Sequence, residues 1–426
     1  MKAFMALFGL FIAIAMSAAD NELDVGVFFT QISDKQVKTL QVKVAGEPLS
    51  NPFVELGGER QIEINFDVLG DGVDRYAYNL IHCDANWQRS TLSPIEYMDG
   101  FPGSTIDDFA NALGTTIPYT NYRLFFPNDD VQPKVSGNYA LQVYCEDDPS
   151  HIVLTACFSL YERQVSVAAK VSGNTDIDTN RSHQQLSFTV HHKNFPIPYP
   201  QSDLKLRIYQ NNRRDNVVTT LQPMSILEDQ LVYANNKDLI FSAGNEYRRM
   251  EFLSNKYNGM RVEGISFHHP YYHVDVMVDQ CLDRQSYQYD QDQDGHYLIG
   301  CSNCNDPDTE ADYYVVHFAL AMEEISDGNV YLNGELVNNT LDENSLMIYN
   351  PERGQYEKSL LLKQGHYNYQ YLFVPNGHTL GYTALTEGDF FQTENEYTIY
   401  VYYRPMGARF DRLIGVASVR NETPML

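Results

Sequence analysis

The feature that most constrains this chain is a recurring one: short runs rich in Val, Ile, Tyr and Phe, alternating apolar with polar and cut by Gly, Asn, Asp and Pro. QIEINFDVL, RYAYNLIHC, NYALQVYCE, IVLTACFSLYE, QLSFTVHH, DLKLRIYQ, YYHVDVMV, YYVVHFALA, NYQYLFV and YTIYVYYR all have this form. Side chains alternate between the two faces of a strand, so each run reads as a strand with one face on a core. Runs of this length and spacing argue for an all-β protein of antiparallel β-sandwiches. No segment carries a long apolar stripe at the helical period. Only Thr105 to Leu113, TIDDFANAL, is expected as a short helix, with Thr105 as its cap and two aspartates in its first turn. The 31 tyrosines suit the same architecture, since a ring packs on a pleated sheet while its hydroxyl is expected to stay wet.

Boundaries follow composition. MKAFMALFGLFIAIAMSAAD places Lys2 before an apolar run and then small residues, the pattern of a secretory signal peptide over residues 1–19, cut after Ala19. Asp20 rather than cysteine follows the cut, so a lipid anchor is not expected there and the mature chain should be soluble. The remaining length of about 400 residues is enough for two or three ordinary domains, and the boundaries that follow divide it into three. FSLYE, at Phe158 to Glu162, closes the first, residues 20–162. The polar stretch CSNCNDPDTEAD divides the rest into 163–304 and 305–426.

The formal charge of −26 repels nucleic-acid phosphates and anionic lipid head groups over a screening length of about 8 to 10 Å, which argues against both as partners. No apolar run after the leader reaches the roughly 20 residues of a membrane-spanning helix. Six cysteines (Cys83, Cys145, Cys157, Cys281, Cys301, Cys304) are too few for a disulfide scaffold.

The stretch HCDANWQRSTLSPIEYMDGF, His82 to Phe101, holds the only tryptophan directly after a histidine, a cysteine and an aspartate. Alternation through RYAYNLIHC puts His82 and Cys83 on opposite faces, so they do not form a nucleophile pair. Asp84, Asn86 and Trp87 suit a turn packed under the indole, and Ser93-Pro94 starts another. The stretch closely resembles the signature of the plug protein family of the type IX secretion system. GNYALQVYCEDDPSHIVLTACFSLYE, DPDTEADYYVVHFAL and GQYEKSLLLKQGHYNYQY are similar to later landmarks of that family, so the resemblance runs from about residue 24 to residue 420. It implies a non-enzymatic, monomeric periplasmic protein, peripheral to the outer membrane through its partner, that binds the mouth of the outer-membrane translocon barrel and closes it. His82, Asp84, Trp87, Ser93 and Pro94 then stand as structural signature, with Trp87 a core anchor. Tyr97, Met98 and Phe101, beside Gly100 and Pro102-Gly103, stand as candidate partner contacts. One departure from the family is the pair Cys145 and Cys157, which a turn around Pro149 would hold out of register.

Other motifs are weaker. DQDQDG, Asp290 to Gly295, copies the first half of a calcium loop, but its twelfth position is Cys301 where a bidentate glutamate belongs. His269 and His273 share a strand face, and Cys301 and Cys304 have metal-clip spacing. Neither pair has a clear partner pair, so no metal or cofactor is assigned; a local disulfide involving Cys281, or free thiols, is expected. Nucleophile elbows, phosphate loops and HExxH helices are missing. GNVYLNGELVNN with MIYNPERGQYEKSLLLKQGHYNYQYLFV resembles the early-set sandwiches that accompany starch and glycogen enzymes. The fold expectation is therefore three consecutive immunoglobulin-like or early-set-like sandwiches. The alternative to a plug is a glycan-binding accessory protein, although the only tryptophan lies in a different domain from that module.

Overall fold

The computed structural model describes residues 26–219 and 221–421, so the expected leader lies outside them. The described chain is built from antiparallel sheets packed face to face, with only single turns of helix. Burial follows the alternation in the sequence. Along Tyr313–Ala321, Tyr314, Val316, Phe318 and Leu320 are buried while the residues between them are half-exposed. No described helix is long and apolar enough to cross a membrane.

In the first unit one sheet runs Gln31–Ile32, Asp148–Tyr161, Gly137–Cys145, Tyr76–Cys83, Ser104–Thr105, with Phe53–Glu55 parallel to Asp148–Tyr161. The facing sheet runs Val37–Val44, Ile62–Leu69, Tyr119–Phe126, Asp108–Asn111. Phe66, Tyr76, Tyr122, Tyr139 and Phe158 fill the space between them. The segment expected as a helix is instead extended: Asp108–Asn111 pairs with Tyr119–Phe126, and Phe109 lies against Tyr122 at 5.7 Å. Two first-turn aspartates and a capping threonine do not outweigh an open sheet edge beside them; nine residues nucleate a helix poorly without an apolar face to bury.

The cores do not divide at Cys304. Met250, Phe252 and Val262 share one distal core with Tyr314, Phe318, Tyr367 and Tyr371, so that core spans the expected boundary. The middle core joins Leu186, Phe188, Leu206 and Leu231 to Tyr397, Ile399, Val401 and Ile414. Glu396–Tyr403 pairs along its length with Leu204–Gln210, and Arg412–Arg420 adds to its other side. The middle unit is thus made from two separated pieces of chain, with the distal unit running between them. The polar CSNCNDPDTEAD stretch is a connection inside the distal unit whose end, with Thr309, Ala311 and Asp312, is buried against the first unit.

Tyrosine is the bulkiest fully buried side chain throughout, and its hydroxyls are paired inside rather than wet. Tyr139 donates to Val135 O at 2.6 Å, while Tyr369 and Tyr371 donate to Asp279 at 2.9 and 2.7 Å. A phenol can sit in a core when an acceptor is built in beside it. Between the first and distal units, Lys363 and Asp67 form an ion pair at 2.7 Å with both side chains 1% exposed. Tyr119 donates to Ala311 O at 2.8 Å across the same junction.

Candidate functional site

The strand Tyr76–Cys83 is central in its sheet and covered on both faces. Tyr76, Tyr78 and Leu80 enter the first core, while Ile81 and Cys83 pack on the other side with Ala140, Cys157, Phe28 and Trp87. His82 is sealed between Tyr97, Tyr139 and Phe410, its Nε2 3.2 Å from Ser136 O. Burial lowers its pKa to about 4 and raises the Cys83 thiol to about 12, so both are neutral groups.

The chain turns after Cys83 under the Asp84 side chain, which accepts from Asn86 N at 2.8 Å and Gln88 N at 3.0 Å. Trp87 closes the turn at φ 62, in the left-handed region. The turn's outer backbone is taken by the middle unit. Ala85 N donates to Asp411 at 2.9 Å, Arg207 Nε donates to Ala85 O at 2.9 Å and its guanidinium also binds Asn86. The Trp87 indole donates to the Tyr209 hydroxyl at 3.3 Å. Asp411 is fully buried and is matched by Lys205 at 2.9 Å and Arg404 at 3.8 Å. The turn of the signature is therefore a fastener between two cores, and Trp87 is a partly buried wall of that junction.

The second half of the stretch behaves differently. Glu96 accepts from Ser93 N at 2.8 Å and Ser93 Oγ at 2.7 Å, starting a single helical turn at Pro94. Those bonds and the Arg409 guanidinium lower the Glu96 pKa to about 2. Arg409 also donates to Thr91 O at 2.8 Å, which brings the loop carrying the fully exposed Met406 against this segment. Of the three expected partner contacts, Tyr97 and Met98 are core residues, 4% and 3% exposed, with the Tyr97 hydroxyl donating to Leu80 O at 2.7 Å. Their side chains are spent on the first core, so neither is presented outward. Phe101 is, at 85% exposure, and Ile95 joins it at 78%. Gly100 is not a loose hinge: Met98–Gly100 pairs with Val131–Pro133, and a Cβ at Gly100 would stand 2.0 Å from Asp130 O.

Sequence reasoning missed Arg207, Tyr209, Arg409 and Asp411. The one available signal was a charge inside an apolar alternation, Arg207 in LKLRIYQ, which has to be paired if that face is buried.

The weaker motifs resolve into structure. In DQDQDG, Asp290 faces Arg249 at 3.1 Å, Asp292 accepts from Asp294 N at 3.0 Å and from Tyr247 N, and Asp294 meets Arg420 at 2.8 Å. The three carboxylates are held by separate partners. His273 faces His317, with Nδ1 2.8 Å from Nε2, and His268; His269 lies at the exposed hairpin turn. The disulfide joins Cys301 to Cys304, and Cys83, Cys145, Cys157 and Cys281 are free. Among the described residues no three His, Cys, Asp or Glu side chains converge to hold an ion.

Residues 37–162 match the family model described as the type 9 secretion system plug protein first domain, a span that includes all of His82 to Phe101. The chain is also similar to a hypothetical protein from Parabacteroides merdae ATCC 43184, known from a crystal structure at 2.30 Å resolution. The two share 68% identity and a TM-score of 0.92, over 92% of this chain and 99% of that one. Nothing among the curated proteins matches it.

Proposed function

Because the chain belongs to the type IX secretion system plug protein family, which ties it to that apparatus at the cell envelope, we propose that it works as a steric plug. In this reading it is a non-enzymatic, monomeric periplasmic protein that binds the periplasmic mouth of the outer-membrane translocon barrel and closes it until a substrate or another subunit displaces it. The observation that carries the reading is the family match over the first unit.

The physical requirements of a plug support it. Such a protein needs a body that does not yield, and here the three cores are fastened by the buried pair Asp67 with Lys363 and by the buried Asp411 with the half-buried Lys205. It also needs a surface for its partner. Ile95 and Phe101 offer exposed apolar side chains on a hydrogen-bonded segment of the first unit, and the strong negative charge disfavours nucleic acid and anionic lipid as competitors. A pull-down of the tagged protein from native envelopes, read by mass spectrometry, tests the proposal. Recovery of a large outer-membrane barrel is expected; recovery of no barrel, with glycan retained on a parallel array, would favour the accessory-protein alternative instead.

A further inference from the structure

Where the three units meet, a cavity of about 100 Å³ opens beside Trp87. The first unit contributes Trp87 and Cys157, the middle unit Tyr209 and Tyr400, and the strand-preceding segment Phe28 and Phe29. Ring and hydrocarbon faces make the larger part of the wall, with Thr30, Ser159, Asn212, Asn338 and Asn339 set among them and a guanidinium at the rim. Arg214 lies with its guanidinium 4.1 Å over the Phe29 ring and makes no hydrogen bond or ion pair among the described residues. Arg214 is exposed at this rim and free to take a ligand, in a chain with almost two acidic side chains for each basic one, 56 against 30. The tryptophan beside it is held at φ 62, a backbone region that bulky residues avoid. That conformation turns the indole onto the cavity and its N–H toward Tyr209.

Size and charge narrow what fits. A cavity of about 150 Å³ admits benzene, so this smaller one suits an isopropyl or isobutyl group rather than a sugar or a fused ring. A guanidinium lying on a ring face with its N–H groups turned to solvent can bind a carboxylate with two parallel hydrogen bonds. We propose that this cavity is a binding site for a branched aliphatic group bearing a carboxylate, the hydrocarbon lying between Trp87 and Tyr209 and the carboxylate on Arg214. A free acylated amino acid and the last residue of a polypeptide share that chemistry. The site is independent of the Phe101 surface and stands whether or not that surface meets a translocon.

The only tryptophan of the chain is a wall of the site, which makes its fluorescence the readout. The whole mature protein is titrated with N-acetyl-leucine, with N-acetyl-leucinamide, and with a tetrapeptide ending in leucine as free acid or amide, and heats are measured in parallel. Saturation by the free acids with a dissociation constant on the order of 0.1 to 1 mM is expected for ligands this small, with the amides at least ten-fold weaker. Arg214→Gln should remove that discrimination while melting as the parent does. Asn212→Asp, also on the cavity wall and in a left-handed position that aspartate tolerates, should weaken the acids alone. Tighter binding of the tetrapeptide acid than of N-acetyl-leucine assigns the source to a chain terminus, and the reverse to a small metabolite. Equal response to acid and amide, full binding by Arg214→Gln, or no fluorescence change and no heat at 10 mM would each overturn the site.

Discussion

Two loops looked chemical in the sequence, the turn after His82 and the acidic run from Asp290, and both turn out to fasten one core to another. They do so with opposite electrostatics. At the first, the buried Asp411 receives a backbone N–H and faces two cations, Lys205 and Arg404. At the second, Asp292 and Asp294 stand near Glu246, whose carboxylate accepts from the Tyr287 hydroxyl and from Glu394 N; Arg420 is the cation that meets Asp294. Burial, joined by repulsion between neighbouring carboxylates, raises Glu246, Asp292 and Asp294 to about 7 each. A fastener made from matched charges is expected to be insensitive to pH near neutrality; one made from crowded carboxylates is a proton-dependent joint.

The strongest way to break the first joint is Asp411→Ala. It leaves the Ala85 N–H buried without an acceptor, while Lys205, a third exposed, turns to water, so a loss of about 1 to 3 kcal/mol is expected, mainly from the unsatisfied N–H. Denaturant unfolding measures it. A variant that unfolds with the parent would show that the signature turn is not a fastener.

The second joint is broken with pH. An unfolded chain releases these protons near pH 4 and the folded one near pH 7, so the folded state holds more protons in between. Their contribution is complete below about pH 4 and is lost as pH rises through 7. The cluster is coupled, and a drop on the order of 2 to 3 kcal/mol across that window is expected. Asp292→Asn with Asp294→Asn should flatten it. His82 carries the opposite sign, because a folded pKa of about 4 means that its contribution is lost as pH falls from about 6.5. In the double asparagine variant the acid-side loss should therefore remain. Unfolding midpoints at pH 5 and pH 8 separate the two joints, and an unchanged slope in that variant would reject the assignment.

Trp87→Ala should cost less than a core tryptophan, about 1 to 3 kcal/mol, since the indole is only partly buried and already borders a cavity. A full 3 to 5 kcal/mol would restore the anchor reading. The example also marks what was legible. Alternation over the eight residues of Tyr76–Cys83 told faithfully which side each faces, because that depends only on local backbone geometry. It could not tell that both sides are covered, since the cover arrives from Tyr209, Phe410 and Asp411, far along the chain. The same non-local pairing hid the return of Glu396–Tyr403 to the middle core. Tyr97 and Met98 read as surface for the reverse reason. They sit among turn formers, yet the Val131–Pro133 strand and the Leu80 carbonyl draw them inward.

The smallest effect on stability, and the most specific on function, belongs to the part of the stretch that fastens nothing. Ile95 and Phe101 project from a segment whose backbone is fixed by the Ser93–Glu96 bonds, by Lys134 donating to Ile95 O at 3.1 Å and by the pairing of Gly100 with Val131. Their side chains add little to that order, so Ile95→Ser with Phe101→Ser should change the unfolding free energy by less than about 0.5 kcal/mol, the usual bound for surface positions. Removing two exposed apolar side chains from a contact costs far more in binding, since such anchors carry most of an interface's energy. The double variant should fold and melt with the parent and fail to co-purify with the outer-membrane barrel, while Asp411→Ala at the fastened half should lose stability first and co-purify for as long as it stays folded. Unchanged recovery of the barrel by the double serine variant would move the partner surface away from this loop.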